Sequence, residues 1–212
     1  MTRRFSGMWI EGDPVLSASS RETFGPYNHG VEVVNLFVTR ENAAELTRRM
    51  VHTNPDIFSL DVDGTDYYLA QSLFANGFKP KMCVVEYNSA FGPDARLAIP
   101  YDRPRSAMLE PRSKLYYGCS VNGWRTAFSD WGYKFVTVDT NGVNAFFVDP
   151  AQFSMELIQQ CTGLAFAENY AQRREFQVAW EGQWEKVRDL PFLEIEPRGE
   201  SPQLANASVV QR

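Results

Sequence analysis

The chain has 212 residues and a mass of 24.2 kDa, and at 44% hydrophobic and 14% aromatic content it can build one domain with a sizeable core, which excludes wholesale disorder. With 21 Lys and Arg against 26 Asp and Glu, the net charge is −5 and the pI about 5.2, a balance unsuited to coating nucleic acid or an anionic membrane. No apolar run approaches the ~20 residues of a membrane helix, and the opening MTRRFSGMWIEGD meets acid before any signal-peptide core. Three widely spaced cysteines, Cys83, Cys119 and Cys161, form no CxxC, so a reduced, cytoplasmic compartment is expected, with neither disulfides nor zinc.

Short apolar runs alternate with helical patterns, the sign of a parallel α/β sheet. Gly7 to Ile10 reads as a strand, ended at Glu11-Gly12-Asp13 because Pro14 disfavours helical geometry in the residue before it. A second strand spans Val31 to Val38, and Thr39 or Asn42 caps a helix running to about Met50. Ile57 to Leu60 is a third strand; a helix from Tyr67 to Asn76 follows, capped by Thr65 or Asp66 and closed by Gly77. Met82 to Glu86 is a buried-looking strand ending in Tyr87-Asn88. Residues 89–114 carry four prolines and no periodicity, and a loop of that length in a compact domain reads as a lid or a solvated segment. Its arginines and Lys114 offer partners to an anionic substrate.

Ser120 caps a helix to Trp131, ended by Gly132. Tyr133 to Val138 and Val143 to Val148 then form an antiparallel hairpin about Asn141-Gly142. A helix spans Ala151 to Cys161. Phe166, Tyr170, Phe176, Trp180, Trp184 and Val187 recur at roughly helical spacing, which predicts one amphipathic helix over 164–196 that serves core packing or a dimer contact. The resulting expectation is a Rossmann-like three-layer sandwich over 1–163, mostly parallel and ending in an antiparallel hairpin, followed by that C-terminal helix and a disordered tail over 197–212.

The stretch Phe58-Ser59-Leu60-Asp61-Val62-Asp63-Gly64-Thr65 is the most informative. Ligands of α/β sheets bind beyond the carboxyl ends of the strands, and side chains at i and i+2 share a face, so Asp61 and Asp63 project together. If the next strand is a neighbour, Glu86 and Asn88 reach the same edge, and these four side chains suit a hard cation such as Mg²⁺. Crowded carboxylates would alternatively raise one pKa and supply a general base. The simplest alternative is turn chemistry at Asp63-Gly64 and a helix cap at Asp66. Taken alone, DxDGT resembles motif I of haloacid-dehalogenase-like phosphatases, which would make Asp61 the nucleophile and Asp63 the acid/base beside Mg²⁺. No GDxxxD-type motif follows to complete that pattern.

The chained motifs WIEGDP, FSLDVDGTDYY, KPKMCVVEYN, FGP before PYD, YYGCS and GVNAFFV resemble an FkbM-like class I S-adenosylmethionine-dependent methyltransferase over about Gly7 to Asp149. The resemblance implies S-adenosylmethionine as cofactor and O-methylation of a sugar or small metabolite. It implies that Glu11 accepts hydrogen bonds from the ribose hydroxyls, with Gly12, Asp13, Asn35 and Asp61 as further cofactor-binding positions. Asp61 and Asp63 would then stand near the departing methyl group as the catalytic pair, orienting the acceptor hydroxyl, taking its proton or holding Mg²⁺.

The family's glycine-rich turn, E/D-x-G-x-x-x-G, and the strand before it have no counterpart here. In the usual order that strand lies between the strands bearing Glu11 and Asp61. The alternatives are a segment upstream of Met1, a strand supplied by a partner chain or by the second copy of a homodimer, or a non-catalytic methyltransferase-like subunit that pairs through the aromatic stripe.

Overall fold

The computed structural model describes residues 6–25, 30–50, 53–62, 64–102 and 112–198, which fall into two compact units, Met1–Ala43 and Ala44–Arg212. The protein is α/β.

The first unit is built on two parallel strands, β1 (Gly7–Glu11) and β2 (Val31–Asn35), in register from Gly7 opposite Val31 to Glu11 opposite Asn35. A helix the sequence reading missed, α1 (Pro14–Phe24), joins them. Asp13-Pro14 starts this helix as well as ending the strand: the Asp13 carboxylate caps the amides of Val15 (2.7 Å) and Leu16 (3.0 Å). Proline at the first helical position loses no hydrogen bond. Trp9 stacks on Phe24 at 5.4 Å. Before α2 (Ala43–Arg49), Thr39 and Asn42 cap reciprocally, each side chain accepting from the other's amide.

The second unit holds a four-stranded sheet, in the order β3 (Ile57–Leu60), β4 (Met82–Glu86), β7 (Asn144–Val148), β6 (Lys134–Val138). β3 and β4 are parallel and β7 runs against both its neighbours. Two of the five strand pairings among the described residues are parallel, so the sheets are mixed where a mostly parallel sheet was expected. The hairpin turns at Gly142 (φ +71°), and the Asp139 carboxylate accepts from the amides of Val143 and Asn144.

The period-2 alternation of β7 sends its side chains to two different helical layers. Phe147 stacks on Phe128 at 4.1 Å in α4 (Val121–Asp130). There, Phe74 of α3 (Asp66–Ala75) and Trp131 complete an aromatic cluster. Phe146 and Val148 face Ile158 of α5 (Met155–Cys161). Ser120 caps α4 through the Gly123 amide, as expected.

Where they are described, residues 89–114 contribute in part to the core. A 3-10 turn over Ser89–Phe91 and the short strand β5 (Leu97–Ala98) lead into a cluster of Ala90, Phe91, Ile99, Leu115 and Tyr116. That cluster is closed by Val187, Leu190 and Phe192 from the far end of the chain, where β8 (Leu193–Glu194) pairs with β5. Arg112 pairs with Asp189 (3.0 Å) and Lys114 with Glu175 (2.6 Å), so these two cations answer acids of the chain itself. Residues 103–111, with Arg103 and Arg105, lie outside the described residues.

The predicted C-terminal helix is two short ones, α6 (Tyr170–Phe176) and α7 (Trp180–Trp184), broken where Gln177 takes φ +55°. Most of its aromatic stripe packs on the same chain, Phe166 on Tyr87 and Trp184 on Phe91 and Phe192; only Tyr170, 66% exposed, lies open. The tail from 199 lies outside the described residues. Among the described residues no helix is long and apolar enough to cross a membrane. Cys83, Cys119 and Cys161 are free thiols; the first two are buried, and burial raises their pKa values.

Candidate functional site

The carboxyl ends of β3 and β4 gather the polar side chains of the second unit. Beyond β3, Asp61 is exposed and Asp63 lies outside the described residues. The segment between them and α3 is organised by Asp66, which is fully buried. One of its carboxylate oxygens accepts from the Val62 amide and the other from the Gly64 amide, both at 2.9 Å. Burial raises its pKa; the amides of Val62, Gly64 and Asp66 itself oppose that shift and the Asp61 charge adds to it. Asp66 therefore shapes the loop that presents Asp61, a larger role than a helix cap.

At the end of β4, Glu86 is half-buried. Asn88 is fully buried and its hydrogen bonds are used within the fold. Its oxygen accepts from the Ala90 amide (2.9 Å), and its amide nitrogen donates to the carbonyls of Leu115 (2.8 Å) and Tyr117 (3.0 Å). This corrects its assignment as a metal ligand: it is a turn cap that fixes the segment carrying Tyr117. Among the described residues no three acid, histidine or cysteine side chains are placed to hold a metal ion. Asp63, one of the four ligands expected for Mg²⁺, is not among them.

Tyr117, Asn169 and Gln172 complete the cluster, and sequence reasoning missed all three. The Tyr117 hydroxyl accepts from Gln172 Nε2 at 3.0 Å. Burial raises the tyrosine's pKa, the Glu86 carboxylate raises it further and Asp61 adds to the effect, while hydrogen bonds from Gln172 and Asn169 act in the opposite sense. Burial above all thus favours the neutral phenol, whose oxygen takes the Gln172 amide. Asn169 caps α6 by accepting from the Gln172 amide at 3.1 Å, and its own amide donates to Ser89 Oγ at 2.8 Å. The one signal available in the sequence was Asn169-Tyr170, an N-cap ahead of a helical run.

In the first unit, Glu11 ends β1, half-buried, and one carboxylate oxygen accepts from the Asp13 amide at 2.8 Å. Asn35 Nδ2 donates to the carbonyls of Glu11 (2.9 Å) and Gly12 (3.2 Å), strapping the two strand ends together. The Asp13 side chain is engaged in capping α1. A Cβ on Gly12 would come within 3.0 Å of the Phe37 ring, so the turn is close-packed.

An open cleft of about 470 Å³, lined by Asn122, Arg125, Asp130 and Lys134, lies elsewhere. Lys134 is level with Val148 and Met82, at the opposite end of the sheet from Glu86. Comparison with protein families, with curated proteins and with solved structures finds no match.

Proposed function

We propose that the chain is an S-adenosylmethionine-dependent methyltransferase-like protein acting on a hydroxyl of a sugar or small metabolite, with a Rossmann-like arrangement interrupted at one strand. The observation that supports this reading is the strand order. One parallel pair bears Glu11, and a separate sheet begins with a second parallel pair bearing Asp61 and ends in an antiparallel hairpin. These are the strands the sequence resemblance implies on either side of the absent one.

The residues at the end of β1 fit the cofactor. Glu11 carries a carboxylate with one oxygen held by the Asp13 amide, which leaves the other for a ribose hydroxyl, and the Asn35 strap fixes the carbonyls around it. When bound, S-adenosylmethionine supplies an electrophilic methyl group. The chain's own work is positioning, because an in-line displacement gains most from orientation and exclusion of water. Asp61 or Glu86 would accept the acceptor's single hydroxyl proton, and Tyr117 would orient its oxygen. The phosphatase alternative has less support, since no GDxxxD-type motif follows to complete its metal site.

Calorimetric titration of the folded chain with S-adenosylhomocysteine tests the proposal. Micromolar binding is expected; a well-folded sample that takes up no heat counts against it.

A further inference from the structure

The geometry points to a second ligand site in the cleft between α4 and β6, one that takes the phosphate monoester of a hydroxylated small molecule, as in a sugar phosphate or a nucleoside monophosphate. The inference is independent of the methyltransferase reading, because none of that reading's residues lines the cleft.

The cleft is open and holds about 470 Å³, within the ~300–1,000 Å³ typical of small-molecule sites. One wall is the outer stripe of α4, where Asn122, Arg125, Thr126 and Ser129 follow at i, i+3, i+4 and i+7, opposite the buried Trp124 and Phe128. The other wall is β6, the edge strand of the four-stranded sheet, through Lys134 and Phe135. The Arg125 guanidinium lies over the Phe135 ring, 4.9 Å from its centroid, and Phe135 packs edge-on against Phe147 at 5.5 Å. An exposed cation is thereby placed on a ring anchored to the sheet, and its N–H groups stay open to the cleft.

A count of donors and acceptors names the ligand. The Asn122 amide donates to the Asp94 carbonyl at 2.8 Å and the Thr126 hydroxyl to the Asn122 carbonyl at 2.9 Å, so both serve the fold. Among the described residues the side chains of Arg125, Lys134 and Ser129 make neither an ion pair nor a hydrogen bond, unlike Arg112 and Lys114, which answer Asp189 and Glu175. Arginine and lysine only donate, so what they receive must be an acceptor. A planar fork, a point charge and a hydroxyl together suit the oxygens of a phosphate. Asp130 adds one acid to the same wall. Its Oδ2 accepts from the Arg198 amide at 3.0 Å, which leaves Oδ1 to take a hydroxyl of the ligand's organic part. Two cations against one carboxylate keep the cleft favourable to an anion, and the carboxylate favours a hydroxylated ester over bare phosphate.

The test is calorimetry on the full chain in low-salt, phosphate-free buffer. The probes are glucose 6-phosphate, ribose 5-phosphate and adenosine monophosphate, against inorganic phosphate, glucose and succinate. At least one ester should bind about ten or more times tighter than each of the last three, and which ester does so identifies the organic part. Arg125→Gln and Lys134→Gln should each weaken that ester roughly tenfold, as for loss of a charge-assisted hydrogen bond. Both side chains are exposed, so the melting temperature should hold, and each variant checks the other. Lys186→Gln removes an equal charge from an exposed site outside the cleft and should leave the affinity unchanged. No ester binding, inorganic phosphate or succinate binding as tightly as the best ester, indifference to both cleft variants, or an equal loss in Lys186→Gln would each overturn the site.

Discussion

The indole N–H of Trp124 donates to the main-chain carbonyl of Glu86 at 2.7 Å, across 38 residues of sequence. This bond ties the fully buried helix α4 tryptophan to the strand end that carries the candidate acid. Trp124→Phe keeps most of the ring contacts and removes the donor, so a loss of about 1–3 kcal/mol is expected in urea unfolding. Trp124→Ala should cost about 3–5 kcal/mol through the cavity it leaves. A Phe variant as stable as the parent would show that the bond contributes nothing net.

Asp66 sets a pH dependence with a definite sign. Its folded pKa is raised above the ordinary value of 3.8, burial being the main cause, so the folded state favours the protonated carboxyl. The stability this confers is complete below that ordinary value and is lost as pH rises through the folded pKa. Asp66→Asn does not titrate and replaces one of two accepting oxygens with a donor, so it starts less stable. The gap between the two proteins should narrow in urea midpoints as pH rises above about 4. Parallel curves would remove Asp66 as the source.

Glu11→Gln keeps an oxygen for the Asp13 amide and removes the charge. The expected outcome is an unchanged melting temperature and S-adenosylhomocysteine binding weakened roughly tenfold, as for loss of a charge-assisted hydrogen bond. Unaltered affinity would take Glu11 out of the cofactor site.

Gly142 combines φ +71° with a site where a Cβ would sit 2.2 Å from the Glu168 carbonyl carbon. Gly142→Ala therefore meets backbone strain and a backbone clash together. It would also disturb the neighbouring bond from the Tyr170 amide to the Asn141 carbonyl. A cost of about 2 kcal/mol, or roughly 4–8 °C in melting temperature, is expected. A melting temperature within about 1 °C of the parent's would show that the backbone yields freely here.

What the sequence revealed divides along the range of the forces involved. Ile57 to Leu60, Met82 to Glu86 and the Ser120-capped helix carry their signals in adjacent residues, and they fold as read. Asp13-Pro14 was equally local but ambiguous, since the residue that ends a strand can also cap a helix. The stretch from Ser89 to Lys114 was illegible for another reason. Its order comes from Val187, Leu190 and Phe192, roughly seventy or more residues away, so no local periodicity records it. In the candidate site, side-chain parity pointed to Glu86 and to Asn88 alike. Only the tertiary surroundings separate them, the Asn88 oxygen turning to the Ala90 amide and the Glu86 charge raising the pKa of Tyr117. Gln172 was invisible because its partners, Lys114 and Tyr117, lie 58 and 55 residues away in sequence.

The pairing of Leu97–Ala98 with Leu193–Glu194 sets the order in which the chain can mature during synthesis. Phe91, Ile99 and Tyr116 leave the ribosome long before Phe192, and until it emerges their shared cluster has no closing wall. The nascent chain thus spends much of its translation with an apolar hollow beside Asn88, and contacts of such long sequence separation form slowly. A stalled ribosome–nascent chain complex ending near residue 185 should expose this hollow to a hydrophobic dye or a holdase chaperone, whereas the released full chain should not.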